Sequence, residues 1–400
     1  MPVSSTSFNP PAPALAAPAV FGRARLIALL GLFAGSRLLL LWISQIALVC
    51  IPKGPLYAPS ASFIGRFIVW DSIWYLQVID EGYKFSPASP ALSNIAFSPL
   101  YPFLVWIVKH MGFYDSAIAG YLVSNAAFLI AAVLLWKLAV EEFGNTEIAD
   151  RAVVLLVFWP GSFWFSMIYA ESLFLALLLA AMLFCRRRQW LAAAAAGFAV
   201  PLTRVAGLTL LAFVLFEIIA EWHERRAAGE WRGLLAPPRA LASRLLALAA
   251  PALGYWSFFV FLRWRFGSWT VQREVLAAGW PDTRLHNPWT HFWEQWLNLQ
   301  PFFRWITYPF LIIAIVALVL SWVATRRLSY PALVAAFLGL YLSATAYMHF
   351  PRYLLVVPPL FLVGGWVAAR SRLLEVLLLT GSAALLALLS ALLVCGYQIL

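Results

Sequence analysis

Acidic and aromatic side chains occur together in one short stretch of the chain, WDSIWYLQVIDEGY, which runs from Trp70 to Tyr83. Asp71 is at the start of this stretch and follows a long apolar run. A carboxylate in this position can orient an attacking hydroxyl and accept its proton. An Asp followed by Ser is also a common helix N-cap, and Gly82 suits the end of the same helix, so the pattern alone leaves a structural role open.

Further candidate residues lie far apart in the sequence, in segments that we predict to share the outer face of a membrane. Arginine binds phosphate groups strongly, and histidine can relay a proton. The candidates for holding a departing phosphate are Arg204, His349 and Arg352. The candidates for contact with substrates are Trp70, Trp74, Tyr75, Tyr83, Tyr101, Tyr169, Glu171 and Gln272.

Several of these residues also have a structural interpretation. Glu171 begins an apolar run, where the helix dipole favours an acid by about 0.3–1 kcal/mol. Arg204 and Arg352 could instead extend to lipid headgroups. Asp80 lies nine positions after Asp71 and therefore on the opposite face of one helix, so we expect it to cap or pair locally.

A carboxylate, several cations and many aromatic rings at a membrane surface suit glycosyl transfer from a lipid phosphate. The carboxylate accepts the hydroxyl proton late in the reaction, while arginines offset the charge of the departing phosphate. A single displacement inverts the anomeric centre. Because phosphate leaves readily as an anion, neither a metal nor a cofactor is expected, and the sequence contains no cysteine-based metal motif.

The composition identifies a membrane protein. Of the 400 residues, 63% are hydrophobic and only 11% are charged. Apolar runs of roughly 20 residues recur along the chain, and these predict an all-α fold class, a polytopic transmembrane helical bundle. The net charge of +11 comes from short arginine clusters between the runs, so it reflects orientation in the membrane and not a nucleic-acid partner.

About eleven membrane spans are predicted, all within a single transmembrane domain over 23–400. Residues 1–22 are rich in Pro, Ala and Ser and are interpreted as a disordered cytoplasmic tail. The predicted spans are Leu26–Cys50, Ala117–Val140, Ala152–Ile168, Ser172–Cys185, Leu191–Leu202, Gly207–Ala220, Leu245–Leu262, Ile306–Ala324, Tyr330–Tyr347, Leu354–Ala368 and Leu373–Val394.

The arginine clusters orient this bundle, because Lys and Arg concentrate in cytoplasmic loops. Arg23 and Arg25 place the N-terminus inside, and the pairs and triplets near 186–188, 225–226, 326–327 and 370–372 fall on the same side. The outer side then holds two long loops, 51–116 and 263–305. The apolar segment Phe97–Met111 in the first loop is short and is predicted to be a juxtamembrane or re-entrant helix.

Two further features concern the membrane. In the second outer loop, aromatic residues recur at helical spacing from Trp289 to Trp296, which predicts an amphipathic helix in the interface that could cover a lateral lipid entrance. An aromatic belt is the alternative. Arg37 is a charge near the middle of the first span, and we interpret it as a structural anchor in the bundle.

The chain resembles the PIG-V family of GPI-type mannosyltransferases, in the GT-C class of multi-spanning transferases. Four segments and one tripeptide carry the resemblance: the segment at Trp70, AFSPLYP at 96–102, FSMIYAESLF at 165–174, PRYLLVVPPLF at 351–361, and LTR at 202–204. The first differs from the family pattern by Trp74 or Tyr75 in place of His, and the second by Ser98 in place of an aromatic residue.

The resemblance implies a polyprenyl- or dolichol-phosphate-mannose donor and an Asp of the first outer loop as the base, which maps onto Asp71. It implies a lipid-linked or glycan acceptor, whose identity the departures leave open, and possible dependence on a partner subunit. The composition, with 24 Arg against 4 Lys and no Asn-x-Ser/Thr sequon, favours a bacterial inner membrane with the site facing the periplasm.

Two other functions are compatible with a basic-inside bundle. A flippase or exporter of lipid-linked sugars would also hold a phosphate with arginine, but such transporters usually show internal repeats and polar groups near the bilayer centre. A non-catalytic subunit of a transferase complex is the third interpretation. Asp71 distinguishes it from an enzyme, because a subunit without activity would tolerate Asn at this position.

Overall fold

The structure is a computed structural model that describes residues 21–57, 65, 68–229, 238–280, 285–299, 301–344 and 347–397. All regular secondary structure in these ranges is helical, as the composition predicts. The predicted disordered tail falls on residues 1–22, of which 1–20 lie outside the described residues.

The α-helices are numbered in chain order. They are α1 (Arg23–Cys50), α2 (Ser72–Glu81), α3 (Leu100–Val108), α4 (Ser116–Phe143), α5 (Thr146–Val157), α6 (Glu171–Arg186), α7 (Trp190–Ala199), α8 (Leu210–Ala227), α9 (Pro238–Phe266), α10 (Val271–Gly279), α11 (Pro288–Asn298), α12 (Pro301–Thr325), α13 (Ser329–Ala344), α14 (Phe350–Leu354), α15 (Pro358–Ala368) and α16 (Arg372–Val394). Short 3₁₀ turns lie at Ser162–Ser166, Val205–Thr209 and Tyr347–His349, among others.

Six of the described helical segments are long and apolar enough to cross a membrane. They are Arg23–Cys50, Ser116–Phe143, Val205–Ala227, Arg239–Phe266, Phe303–Thr325 and Arg372–Val394. Three shorter apolar helices, α7, α13 and α15, accompany them. The fold is therefore a polytopic helical bundle, while the count of eleven spans and the orientation of the bundle stay predictions.

Two of the predicted spans are not continuous helices. The segment predicted as a span over 152–168 is not one helix, because α5 ends at Val157 and the chain passes Pro160 and Gly161 before a 3₁₀ turn. The span predicted over 354–368 is divided at Val357, where Pro358 and Pro359 start α15. Both segments are apolar. An apolar sequence indicates that a segment is buried, but it does not show that the segment is one continuous helix.

The alanine-rich helix α7 packs closely against α9, as its small residues predict. Gly254 of α9 faces the backbone of Phe198 so closely that a Cβ at Gly254 would collide with the Phe198 carbonyl. Just after α7, the Leu202 carbonyl accepts a hydrogen bond from the backbone N–H of Leu100, with an N to O distance of 2.9 Å. This contact joins the α7 end to the first outer loop and fixes where Arg204 lies.

A network of buried charges joins the helix ends at the predicted cytoplasmic side. Glu217 of α8 is fully buried and pairs with Arg186 at 3.3 Å and with Arg188 at 3.2 Å. Arg186 also pairs with Glu142 of α4, and Ser329 Oγ donates to Glu217 Oε1 at 2.6 Å. The network therefore connects α4, α6, α8 and α13.

The two predicted loop helices are present. The short helix α3 covers most of the segment 97–111, and α2 packs against it. The aromatic helix α11 exposes 69% of Trp289, 44% of Trp293 and 40% of Trp296, whereas its His291 is buried. This two-sided character agrees with the predicted amphipathic helix, and its role at a lipid entrance stays a prediction.

Candidate active site

Asp71 takes the N-cap position of α2 without capping it. Its carboxylate makes no hydrogen bond to the backbone of α2, so the helix-cap alternative was wrong. Instead Oδ2 accepts a hydrogen bond from Nη1 of Arg352, at 3.1 Å. Within the part of the chain that the structure describes, Oδ1 has no partner, and 30% of the side chain is exposed. One carboxylate oxygen is thus held and the other is available.

The turn that carries Asp71 is fixed by Tyr169. The Asp71 backbone N–H donates to Tyr169 Oη at 3.0 Å, and Tyr169 Oη donates to the Val69 carbonyl at 2.7 Å. Trp70, between these two residues, has φ +45°, an unfavourable conformation for a bulky side chain. Burial raises the pKa of Tyr169 well above its ordinary value, and the charge of Asp71 adds to this, so the phenol stays protonated and donates.

Glu171 joins the two arginines that the sequence assigned to phosphate. Its Oε1 accepts from Nε and Nη2 of Arg352, each at 2.8 Å, and from Nη1 of Arg204 at 2.5 Å. Only 1% of Glu171 is exposed. Two acidic and two basic side chains thus form one connected group with a formal charge of zero. We call this group the charge tetrad; it consists of Asp71, Glu171, Arg204 and Arg352.

Aromatic rings enclose the tetrad. The Arg352 guanidinium carbon lies 4.7 Å from the ring centre of Trp164 and 4.5 Å from that of Tyr169, within cation–π range. Arg204 lies over Tyr353 at 5.4 Å. Trp164 was not among the predicted site residues, because it sits inside an apolar segment that reads as a membrane span.

A second group of aromatic residues forms the wall on the other side of Asp71. The ring of Tyr75 lies 5.1 Å from Tyr101 and 6.1 Å from Tyr169. Tyr101 is fully buried, and its hydroxyl bonds Ser124 Oγ at 2.8 Å. Trp74 packs edge-to-face on Trp280 at 5.5 Å. The structure therefore joins the acid-bearing stretch to residues of α3, α4 and α10.

Comparison with known proteins finds a family that part of the chain matches. Residues 56–227 match the family profile described as Mannosyltransferase (PIG-V), and this range contains Asp71, Glu171 and Arg204. This range, less than half of the chain, is similar to the PIG-V mannosyltransferase family. No protein of curated function matches the sequence.

Two solved structures resemble this chain over most of its length. ArnT from Cupriavidus metallidurans, bound to undecaprenyl phosphate, has a TM-score of 0.52 at 12% identity, with 94% of this chain and 77% of ArnT covered. The archaeal oligosaccharyltransferase AglB from Archaeoglobus fulgidus, in complex with an inhibitory peptide and a dolichol-phosphate, has a TM-score of 0.48 at 12% identity over 92% of this chain and 56% of AglB. The similarity to ArnT shows a GT-C-like fold.

Three other predicted site residues have the following positions. Tyr83 donates to the Phe97 carbonyl at 2.6 Å and packs against Phe258 at 5.5 Å. Gln272 is buried near the start of α10. His349 lies in the 3₁₀ turn before α14, and its ring centre is 6.3 Å from that of Tyr353. Their assigned roles stay predictions.

The local role of Asp80 is confirmed. Asp80 Oδ1 accepts from Lys109 Nζ at 2.6 Å and from Ser116 Oγ, so it joins α2 to the start of α4. Among the described residues, no three His, Cys, Asp or Glu side chains are grouped so that they could hold a metal ion.

Proposed function

We propose that this chain transfers mannose from a polyprenyl-phosphate-mannose donor to a hydroxyl of a lipid-linked or glycan acceptor at the outer membrane surface, with inversion and without a metal. The family match supports the sugar. The fold shared with ArnT, a protein captured with undecaprenyl phosphate, supports a lipid-phosphate donor. Four of the candidate residues gather in the charge tetrad, as a single reaction centre requires.

The geometry of Asp71 is the observation that carries the proposal. One oxygen is held by Arg352 at 3.1 Å, which orients the carboxylate, and the other oxygen is available to an acceptor hydroxyl. As the acceptor oxygen bonds to the anomeric carbon, its proton passes to Asp71 and the bond from that carbon to the phosphate oxygen breaks. The phosphate leaves with the bonding electron pair, and the new bond forms on the opposite face of the sugar.

The two arginines have different roles in this proposal. Arg352 uses Nε, Nη1 and Nη2 to hold Glu171 and Asp71, and its side chain is 8% exposed. Arg204 holds Glu171 through Nη1 and is 17% exposed. A guanidinium has five N–H donors, so Arg204 has more donors left for the donor phosphate. We therefore assign phosphate binding to Arg204 and the positioning of Asp71 to Arg352.

The test is a reconstituted assay of the full-length chain in liposomes with polyprenyl-phosphate mannose and a panel of acceptors. Asp71→Asn should lower turnover by about 10²–10⁴-fold, because the amide cannot accept the proton, while Arg352 can still bond the amide oxygen. Asp80→Asn is the matched control and should retain activity within a fewfold range, since the partners of Asp80 in the part of the chain that the structure describes are Lys109 and Ser116. Equal turnover of the wild type and Asp71→Asn would refute the base assignment.

The proposed metal independence has a direct measurement. Turnover of the wild-type chain should be unchanged when EDTA is added in excess over all divalent cations. A loss of activity that Mg²⁺ or Mn²⁺ restores would contradict the proposed metal independence. The role of Asp71 as base would still be tested separately, by Asp71→Asn.

A further inference from the structure

Three pairs of side chains, each with an arginine four positions after a tryptophan, lie at the C-terminal ends of α8, α12 and α15. They are here called the Trp–Arg pairs: Trp222–Arg226, Trp322–Arg326 and Trp366–Arg370. In chain order, the guanidinium carbon lies 5.4, 5.7 and 3.6 Å from the ring centre of the tryptophan. These distances are within cation–π range, and side chains four positions apart on a helix are neighbours.

All three pairs lie at one face of the bundle. Arg327, just after α12, bonds Glu224 of α8 at 3.4 Å and so joins the ends of these two helices. Arg327 also lies 3.9 Å from Glu142 near the end of α4, and α5 begins close after α4. In the last turn of α15, a Cβ at Gly365 would collide with the Ile148 carbonyl of α5. The pairs therefore share the face that carries the buried charge network.

The arginines of the three pairs are exposed. In the part of the chain that the structure describes, the guanidinium groups of Arg326 and Arg370 lie over their indole rings and contact no carboxylate. The neighbouring Arg327, by contrast, pairs with Glu224. A guanidinium carries its N–H donors around its edge, so a ring against its flat side leaves donors for an external anion.

Two of the helices place their pair at the end of an exposed apolar stripe. On each helix two apolar residues, the tryptophan and the arginine follow at intervals of four, three and four positions, which puts them on one side of the helix. They are Leu215, Ile219, Trp222 and Arg226 on α8, and Ile315, Val319, Trp322 and Arg326 on α12. The four aliphatic residues are between 36% and 53% exposed.

The length of this stripe matches half of a bilayer. From Ile315 to Arg326 the chain advances roughly 16 Å along the helix axis, and half of the hydrocarbon core is about 15 Å thick. When the aliphatic residues lie in lipid, the indole is therefore at the interface and the arginine is at the level of the headgroups. Tryptophan is enriched at this depth because its ring is amphipathic.

The helix dipole does not account for the indoles. A cation at a helix C-terminus is favoured by the dipole, but this effect requires no aromatic neighbour. A ring in contact with the guanidinium restricts its motion, so less side-chain entropy is lost when the arginine binds a phosphate. The planar donors of arginine also match two phosphate oxygens at once. Each pair is thus suited to an anion held in the membrane interface.

We propose that the Trp–Arg pairs bind the headgroup phosphates of anionic phospholipids in the leaflet that meets this face. Anionic phospholipids are preferred over zwitterionic ones, because the cation of a zwitterionic headgroup offsets the charge of its phosphate. The proposal goes beyond the transferase assignment and does not depend on it. It concerns lipid binding at the end of α6 that is remote from the charge tetrad.

Native mass spectrometry of the full-length chain in a neutral detergent tests the proposal, with phosphatidylglycerol and phosphatidylcholine of the same acyl chains. The wild type should bind phosphatidylglycerol about tenfold more tightly than phosphatidylcholine. The double variant Arg326→Gln with Arg370→Gln should lose most of this preference. Arg23→Gln with Arg372→Gln is the matched control and should retain it. This control removes the same charge at exposed arginines that begin α1 and α16 and contact no Trp among the described residues.

A second variant tests the indole with every arginine in place. Trp322→Leu keeps an apolar side chain but removes the ring beside Arg326, and should lower the preference for phosphatidylglycerol by roughly two- to fivefold. Trp42→Leu is its control, because Trp42 is 63% exposed on α1 and no described arginine lies over its ring. Since the substituted tryptophans and arginines are at the surface, thermal unfolding in lipid-free detergent should give the wild-type midpoint for each variant.

Three results would overturn the proposal. In the first, the Arg23 and Arg372 control loses the preference as fully as the Arg326 and Arg370 variant, because net charge alone would then explain the binding. In the second, Trp322→Leu keeps the full preference. In the third, inorganic phosphate at the concentration of the lipid displaces phosphatidylglycerol.

Discussion

Arg352 is the residue on which the orientation of the proposed base depends. It contacts both acids of the tetrad through three nitrogens and lies over the rings of Trp164 and Tyr169, which pack against each other. A planar guanidinium can make all these contacts at once, whereas an ammonium cannot. The sequence marks this arginine as unusual, because it lies on the predicted outer side, but its partners are 181 and 281 residues away along the chain.

Replacement of Arg352 by Lys should lower kcat by roughly 10–100-fold, because Asp71 keeps its charge but loses its fixed orientation. The KM for the donor should change less than kcat if Arg352 does not bind the phosphate. A double-mutant cycle with Asp71→Asn separates this role from a purely structural one: in the double variant the effects should be clearly less than additive. Full additivity, or a rise confined to the donor KM, would contradict the positioning role.

One oxygen of Glu171 holds both Arg352, which is buried, and Arg204, whose side chain is 17% exposed. Glu171→Gln should destabilise the protein by about 3–5 kcal/mol, because both guanidinium groups lose their shared anion. Thermal unfolding in detergent measures the effect as a lower midpoint.

Glu147→Gln is the control for this prediction. It changes the same chemical group in an exposed pair with Arg151, where 74% of the Glu147 side chain is accessible. Exposed pairs contribute about 0–1 kcal/mol, so the midpoint should hardly move. Equal midpoints for both variants would show that Glu171 does not hold the tetrad together.

At the scale of the element, the turn before α2 determines the orientation of the Asp71 carboxylate, the proposed base. Its conformation requires Trp70 at φ +45°, and Tyr169 holds the two flanking backbone groups. A strained residue at a functional site persists only where surrounding contacts fix it. In this case the hydroxyl of one tyrosine provides these contacts.

Tyr169→Phe removes this hydroxyl, so the Asp71 N–H loses its acceptor and the Val69 carbonyl keeps the Ser72 N–H but loses its second donor. The expected loss of stability is about 1–3 kcal/mol, together with a lower turnover, because the turn is no longer fixed. Tyr114→Phe makes the same chemical change at a residue that is 82% exposed, and should alter neither quantity. Unchanged stability and turnover of Tyr169→Phe would show that other contacts determine the turn.

The sequence predicts some of these elements and not others, for physical reasons. Apolar runs predict α1, α4, α12 and α16 closely, because long apolar segments have few alternatives to a helix in lipid. They fail over 158–168, where Pro160 and Gly161 break the helix and the buried turn still reads as apolar. That turn carries Trp164, so the error also conceals a residue of the site.

The candidate site shows the same division. Its residue types and the position of Asp71 follow from local patterns, and the structure brings Asp71, Tyr169, Glu171, Arg204 and Arg352 together. The pairing itself does not follow, because contacts between residues 33 to 281 positions apart depend on the packing of the whole bundle. The sequence therefore predicts that Arg204 and Arg352 bind phosphate, whereas the structure shows each of them paired with a carboxylate.

At the scale of the whole molecule, the orientation of the bundle is open to a simple labelling experiment. Cys50 is exposed at the end of α1, while Cys185 and Cys395 are buried. The predicted topology places Cys50 outside, so a membrane-impermeant maleimide should label the wild type in intact spheroplasts, and Cys50→Ser should remain unlabelled. Labelling that requires permeabilised cells would reverse the predicted orientation, and the outer-face assignment of Asp71 with it.

The bundle is held at its two faces by different charge groups. At the predicted inner side, Glu217 connects α8 to the α6 end and to α13. At the opposite side, the tetrad connects α6 to α14 and to the turn before α2. The helix α6 therefore begins in one group with Glu171 and ends in the other with Arg186.

The sharing of one Glu171 oxygen by Arg204 and Arg352 has a consequence for the order of events in the site. Three nitrogens contact that atom, so a ligand that drew Arg204 away from it would leave Glu171 to Arg352 alone. If the donor phosphate binds Arg204 as proposed, its arrival would therefore change how Arg352 is held, and with it the orientation of Asp71. Donor binding and the orientation of the proposed proton acceptor would then be linked through Glu171 Oε1.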